Sequence, residues 1–188
     1  KVIKYIDVPM QHARDKTLKL MNRKGSKIGY LQLVEKLKQE IPNIAIRSTF
    51  ITGFPGETEE AFCDLVDFLQ KAKLFNAGFF AYSREEGTPA YKLPNQIDKK
   101  TKTQRLKKLY SVQKQVVSRE YKKFVGKTLK VICEGFDENQ FVYYGRAYYS
   151  APDIDGKVYF FSADETNFGE EYEVQIIKNT GYDLYGER

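Results

Sequence analysis

The chain has 188 residues, of which 41% are hydrophobic and 30% are charged. This composition is that of a folded globular protein, and it excludes a disordered chain or a miniprotein that depends on disulfides. No apolar segment approaches the roughly 20 residues that a membrane helix needs, and the chain opens without a signal-peptide pattern. We therefore expect a cytoplasmic protein without a membrane partner.

The charges are unevenly distributed along the chain. The first 124 residues contain 25 Lys+Arg and 13 Asp+Glu, a net charge of +12. The residues from 125 onward contain 6 Lys+Arg and 12 Asp+Glu, a net charge of −6. Opposite signs on the two halves predict two domains, residues 1–124 and residues 125–188, with different partners.

Residues that bind metals are scarce. The chain has two cysteines, Cys63 and Cys133, and one histidine, His12. The two thiols are far apart in the sequence and belong to no CxxC or CxxxCxxC pattern, which excludes a local iron–sulfur or zinc site made by this chain alone. We expect both cysteines to be buried thiols in a reducing compartment.

The first half alternates between predicted strands and helices. Hydrophobic periodicity predicts strands over residues 2–8, 44–52 and 77–82, and helices over 15–21, 30–41 and 58–72, the last with Thr58 as its N-cap. This order predicts parallel strands joined by crossover helices. Three strands are too few for a complete sheet, and the sequence opens inside a strand, so we expect the natural protein to extend before Lys1.

The pattern then changes to one long helix and a series of short strands. The helix is predicted from Asp98 to about Lys123, and its exposed faces are densely basic, as in a solvated surface or a docking patch for a partner. Beyond Gly126, short strands separated by turns predict a small five-stranded antiparallel barrel of OB-like type. The predicted strands are Thr128–Glu134, Phe141–Ala147, Val158–Phe161 and Tyr172–Lys178.

Two loops that follow strands carry candidate ligand groups. In βα barrels the loops after the strands open on one face, where ligands bind. Gln11 and His12 follow the first strand and offer both donors and acceptors, although the same loop could simply cap a helix.

The second loop follows the strand at 44–52. The candidate residues lie in the segment 47–58, which contains the end of that strand and the turn after it and has the sequence RSTFITGFPGET. Its polar residues alternate with apolar ones, so Arg47 and Thr49 point to one side, which is the lumen in a barrel. Gly53 and Gly56 would let the backbone approach a ligand closely, or they could serve only the turn.

Three motifs occur in a fixed order, PMQH at residues 9–12, RSTFITGFPGET at 47–58 and FFAYSREEGTP at 79–89. Together they resemble the second half of the radical S-adenosylmethionine (SAM) methylthiotransferases, a family whose chains end in a small β-barrel called TRAM. Two further motifs, GRAY at 145–148 followed by APDIDG at 151–156, and YDLYG at 182–186, are similar to signatures of the branch that modifies a ribosomal protein (RimO).

The resemblance implies the C-terminal portion of a radical SAM partial (β/α) barrel, followed by a TRAM barrel. It implies a full-length enzyme with SAM and two 4Fe-4S clusters, which adds a methylthio group to the β-carbon of an aspartate in small-subunit ribosomal protein twelve. The cluster-binding cysteines would precede Lys1, so this chain alone is expected to be inactive and to bind no cofactor. The implied SAM pocket contains Gln11, Arg47, Thr49, Ile51, Gly53 and Gly56. The implied substrate contacts are His12, Tyr148, Tyr149, Asp153 and Asp155.

Two other functions stay open. One is a transfer RNA methylthiotransferase of the MiaB type, and the other is a free-standing binding module. The acidic charge of residues 125–188 and the APDIDG motif favour a basic protein target over RNA phosphates. Asp155 directly precedes Gly156, so a role in shaping a turn is as well supported as substrate contact.

Overall fold

The structure, a computed structural model, describes residues 2–188. The chain divides into two compact units, one formed by Ile6–Gln113 and the other by Lys114–Arg188 together with the chain before Ile6. This division falls inside a long helix, Lys99–Tyr121. The domain boundary at residues 124/125 stays a prediction.

The strands and helices of the first half follow the predicted order. They are β1 (Tyr5–Asp7), α1 (Asp15–Leu20), α2 (Lys27–Glu40), β2 (Ala45–Thr52), α3 (Glu59–Ala72), β3 (Asn76–Ala81) and, after a short 3-10 helix at Pro89–Lys92, α4 (Lys99–Tyr121). The strands form one sheet in the order β1-β2-β3, and β2 runs parallel to β3. The predicted parallel α/β architecture is therefore confirmed.

Side-chain caps define where two of these helices begin. The Thr58 hydroxyl accepts a hydrogen bond from the Ala61 amide at 3.2 Å, which is the predicted N-cap of α3. The Ser26 hydroxyl accepts one from the Gly29 amide at 3.0 Å at the start of α2. Each cap satisfies a backbone donor that would otherwise lack a partner within the helix.

The core of the first unit lies between the sheet and its helices. The Phe50 ring of β2 packs at 5.9 Å from both Phe68 of α3 and Phe79 of β3. The buried face of α3 is formed by Ala61, Phe62, Leu65, Phe68, Leu69 and Ala72. Cys63 lies off this stripe and is exposed, so the prediction that it is buried was wrong.

The second unit contains a closed barrel. Its strands are β4 (Thr128–Asp137), β5 (Val142–Arg146), β6 (Val158–Phe161), β7 (Glu171–Asn179) and β8 (Leu184–Glu187), in the order β4-β5-β6-β8-β7. Its interior contains Val131, Cys133, Val158, Phe160, Val174, Ile176 and Leu184, all buried. Cys133 is thus buried as predicted.

The barrel is mixed rather than antiparallel. Strands β6 and β8 pair in parallel, while the four other pairs are antiparallel. Geometry requires this, because strand direction cannot alternate all the way around a closed ring with an odd number of strands. The fifth strand, Leu184–Glu187, was not among the predicted strands and supplies the parallel pair.

Candidate functional site

One face of β2 carries the polar residues that the sequence singled out. Alternate residues of β2 are buried, whereas Arg47, Thr49 and Ile51 between them are only partly buried. Gly78 of β3 lies opposite Thr49. A Cβ atom at Gly78 would lie 3.4 Å from Arg47 Nη2 and 3.8 Å from Thr49 Oγ1. These side chains therefore share the face of the sheet opposite the helices, and the missing side chain at Gly78 leaves room beside them.

Arg47 is anchored on this face by an ion pair. Its Nη1 lies 2.5 Å from Asp7 Oδ2 of β1, and its side chain is 14% exposed. The guanidinium is therefore held at the open side of the sheet rather than extended into solvent.

Gln11 is fixed against the same strand by its backbone. Its amide donates to the Thr49 carbonyl at 2.8 Å, and its carbonyl accepts from the Ile51 amide at 2.8 Å. The φ angle of Gln11 is 68°, a left-handed conformation that non-glycine residues rarely adopt. The structure thus brings the Gln11 backbone next to Thr49 and Ile51, while the binding of SAM by Gln11 stays a prediction.

The glycine turn after β2 is held by its neighbours. Gly53 and Gly56 have φ angles of 73° and 82°, which favour glycine. A Cβ atom at Gly53 would lie 2.4 Å from Lys102 Cγ, whereas one at Gly56 would meet Leu20 at 3.6 Å. The space at Gly53 is therefore filled by a side chain of α4, so its lack of a Cβ serves packing within the fold.

A buried carboxylate, Glu57, organises this turn. Its Oε1 accepts from the Thr52 hydroxyl at 3.0 Å and from Arg105 Nη1 at 2.7 Å. Its Oε2 accepts from the Gly53 amide at 3.0 Å and lies 3.2 Å from His12 Nε2. Burial alone raises the pKa of Glu57, but the hydrogen bonds from His12, Gly53 and Thr52 outweigh it and hold the pKa below its ordinary value.

His12 is part of this buried network. Its ring is fully buried, and its Nδ1 accepts from the Arg14 amide at 2.9 Å. Because Nδ1 is an acceptor, the neutral ring carries its proton on Nε2, which donates to Glu57. Both ring nitrogens are thus engaged inside the fold. Substrate binding by His12 stays a prediction, and the structure shows a residue that ties the loop after β1 to the turn after β2.

Arg105 is a site residue that the sequence pattern does not reveal. The pattern places it in the basic surface of α4, but Arg105 is 8% exposed and bonds to Glu57. A signal was present, since Arg105 precedes the buried Leu109 by four residues and the buried Val112 by seven. A charged residue on an apolar stripe requires a buried partner.

The candidate contacts on the barrel separate into exposed and buried residues. Asp153 is exposed and has a φ angle of 58°. Asp155 shapes its loop, because its Oδ2 accepts from the Ala151 amide at 2.8 Å and from the Tyr5 hydroxyl at 2.9 Å. Tyr148 is half-buried.

Tyr149 belongs to the interior of the second unit. It is fully buried, and its ring stacks on Phe124 at 5.1 Å and meets Tyr121 edge-on at 5.0 Å. Burial raises the pKa of Tyr149 well above its ordinary range. The structure therefore shows Tyr149 as a core residue and not as a surface for substrate, because neighbouring aromatic rings cover it.

Comparisons with known proteins match both units. Residues 2–69 match the model of the radical SAM superfamily, and residues 125–188 match that of the TRAM domain. Residues 2–69 are therefore similar to radical SAM domains, and residues 125–188 are similar to TRAM domains. The chain is also similar over its whole length to curated proteins named ribosomal protein uS12 methylthiotransferase RimO, which confirms the predicted resemblance.

Three of these relatives show how far the similarity extends. The protein of Acetivibrio thermocellus is 46% identical over 187 residues, that of Clostridium botulinum 48% over 186, and that of Geobacter sulfurreducens 43% over 188. These alignments include 99–100% of this chain and 41–42% of each relative. The chain thus spans about two fifths of the length of the relatives it matches.

The radical SAM match contains most of the candidate pocket. Gln11, Arg47 and the Glu57 carboxylate lie within residues 2–69, whereas Arg105 lies beyond them.

Within residues 2–188, no group of three His, Cys, Asp or Glu side chains could hold a metal ion. None of the helices in this described part is long and apolar enough to cross a membrane.

Proposed function

We propose that this chain is the C-terminal part of a radical SAM methylthiotransferase that adds a methylthio group to the β-carbon of an aspartate in ribosomal protein uS12. The observation that carries the proposal is the 43–48% identity, along the whole chain, to proteins named uS12 methylthiotransferase. The full-length enzyme would use SAM and two 4Fe-4S clusters, and the thiolates for those clusters would come from outside this chain.

The residues of the first unit suit part of a SAM pocket. SAM carries a carboxylate, ribose hydroxyls and an adenine ring. The Arg47 guanidinium and the Thr49 hydroxyl suit the polar groups, Ile51 suits the ring, and Gly78 leaves room beside them. Bound SAM would supply the deoxyadenosyl radical that no side chain can form. The role of this chain is to hold and orient SAM on the open face of the sheet.

The activity can be tested in the full-length enzyme with uS12, SAM and a low-potential reductant. Mass spectrometry of uS12 peptides should show a methylthio group on one aspartate, and omission of SAM is the control. Transfer RNA is offered in a parallel reaction. Methylthiolated adenosine in that RNA, with unmodified uS12, would instead support the transfer RNA branch.

We also propose that the TRAM domain recruits uS12 through its acidic surface. Residues 125–188 carry a net charge of −6, which complements a basic ribosomal protein and repels RNA phosphates. Asp153 is the candidate contact, because its side chain is exposed on a loop of this domain. Tyr148, half-buried nearby in the sequence, is the candidate aromatic contact.

Charge reversal tests this recruitment. Asp153→Lys should weaken the binding of the chain to uS12 about tenfold at low salt, and the difference should shrink as salt rises. The matched control is Asp164→Lys, which makes the same charge change at another exposed position of the domain. Binding that is insensitive to salt, equal effects of both variants, or a preference for transfer RNA would contradict the proposal.

The basic helix suggests a second contact, with the ribosome. Lys100, Lys107 and Lys114 of α4 are exposed and spaced by seven residues, which places them on one face of the helix. Such a row can neutralise RNA phosphates. Replacing all three with Gln should weaken binding to small ribosomal subunits and flatten its salt dependence, whereas unchanged binding would indicate that the lysines form only a solvated face.

A further inference from the structure

Arg105 occupies a position where an arginine is costly. It is 8% exposed, its Nη1 donates to the Glu57 carboxylate at 2.7 Å and to the Glu57 carbonyl at 3.1 Å, and its Nη2 donates to Glu59 at 3.0 Å. Its guanidinium carbon lies 5.3 Å from the centre of the Phe62 ring. A cation is buried at this depth only when specific partners compensate for its lost hydration. These contacts hold the start of α3 against α4.

Through Glu57, this cation is linked to the two loops that border the open face of the sheet. One oxygen of Glu57 accepts a hydrogen bond from the amide of Gly53, which is the first residue of the turn after β2. The same oxygen accepts a hydrogen bond from the ring of His12, which directly follows Gln11 in the loop after β1. Arg105 bonds to neither Gln11 nor Gly53 directly, and it acts through the Glu57 carboxylate that both loops share.

We infer that Arg105 is a positioning residue that orders the loops carrying Gln11 and Gly53 for SAM, acting through Glu57. The inference rests on the proposed function for the identity of the ligand. Without the guanidinium, the buried carboxylate loses its cation, and either protonation or rotation toward water relieves it. Rotation removes the acceptor of the Gly53 amide and of His12, and protonation weakens that acceptor by removing its charge, so the two loops loosen while the sheet beneath them remains.

Amide hydrogen exchange measured by NMR on this chain tests the ordering directly. In Arg105→Met, which keeps an unbranched side chain and removes the guanidinium, exchange at the Gly53 and Gln11 amides should accelerate about tenfold or more, with the β3 amides unchanged. Arg105→Lys, which keeps a cation, should give a smaller change. Lys108→Met is the control, since Lys108 is exposed on the same helix. Uniform acceleration across the unit, no acceleration, or an equal effect of the control would overturn the inference.

Kinetics of the full-length enzyme give the second measurement. Arg105→Met should raise the KM for SAM about tenfold with a smaller effect on kcat, because it disorders the pocket without touching the reacting atoms. Arg105→Lys should restore part of the loss. An unchanged KM for SAM in an active variant would overturn the link to SAM. A parent enzyme that leaves uS12 unmodified would refute the proposed function instead, while hydrogen exchange would still decide whether Arg105 orders the loops.

Discussion

Replacing Glu57 with glutamine is the sharpest test of the buried network, because it keeps the shape of the side chain and removes its charge and one acceptor oxygen. The carboxylate receives donors from Thr52, Gly53, His12 and Arg105. In Glu57→Gln, one of the two oxygens becomes an NH2 group that faces donors instead of accepting from them. Arg105 would also stay buried with the exposed Glu59 as its remaining carboxylate partner.

The expected loss of stability follows from this geometry. Breaking a buried ion pair by removing one partner costs about 3–5 kcal/mol, and we expect the free energy of unfolding of the first unit to fall by that amount. The control is Glu59→Gln, because Glu59 bonds to the same arginine at 3.0 Å but its side chain is 74% exposed. An exposed pair contributes about 0–1 kcal/mol.

Urea unfolding followed by far-UV circular dichroism measures both variants. The helices α1 to α3 all lie in the first unit, so the helical signal reports mainly on it. Equal losses in the two variants, or a change below about 0.5 kcal/mol for Glu57→Gln, would refute the view that this carboxylate is the central acceptor of the turn.

The same carboxylate predicts a pH dependence. Because the pKa of Glu57 is lowered in the folded chain, its contribution is fully present above the unfolded pKa, near 4.5, and is lost as the pH falls through the folded value. The free energy of unfolding of Glu57→Gln should therefore vary less than that of the parent below pH 4.5. Parallel pH profiles for the two proteins would contradict this assignment.

Three further variants test other parts of the structure. Gly145→Ala would place a Cβ atom 2.0 Å from the Ile132 carbonyl oxygen, so the β4–β5 pair should not form, and the barrel amides should lose their NMR dispersion. Tyr149→Ala should destabilise the second unit by about 3–5 kcal/mol in thermal unfolding, because it removes a fully buried aromatic ring, whereas the same change at half-buried Tyr148 should cost less. Arg47→Ala should weaken SAM binding or turnover in the full-length enzyme and leave its circular dichroism spectrum unchanged.

The helices and strands of the first unit could be predicted because local signals specify them. The N-cap at Thr58 and the apolar stripe of α3 are encoded within a few residues of one another. The shared face of Arg47 and Thr49 likewise follows from the two-residue period of a strand. In contrast, Glu57 and Arg105 are 48 residues apart, and no local pattern pairs them. Arg105 becomes the partner of Glu57, rather than a surface charge, only because α4 packs against the turn that contains Glu57.

The barrel shows a different limit. Alternating apolar residues identified four strands, but the fifth, Leu184–Glu187, has only four residues, too few for a clear alternation. Composition also could not separate Tyr148 from Tyr149, since adjacent residues in an irregular segment can point into or out of the core. Tyr149 is buried because Tyr121, at the end of α4, and Phe124, in the short 3-10 helix that follows, pack against it. That contact exists only in the folded unit.

The structure also indicates which motifs can carry information about the substrate. In residues 47–58, Gly53 accommodates Lys102, Thr58 caps α3, and Glu57 binds its own fold. A similar turn in another protein therefore indicates a similar loop geometry. It does not indicate the same substrate, because enzymes with different reactions can share that geometry. Selection between a ribosomal protein and a transfer RNA requires groups that reach the partner and carry the appropriate charge. The groups that we propose for this role are the exposed acidic residues of 125–188 and the exposed lysines of α4. Charge reversal on these two surfaces should therefore change the choice of partner, whereas variants in the turn should change only stability and SAM binding.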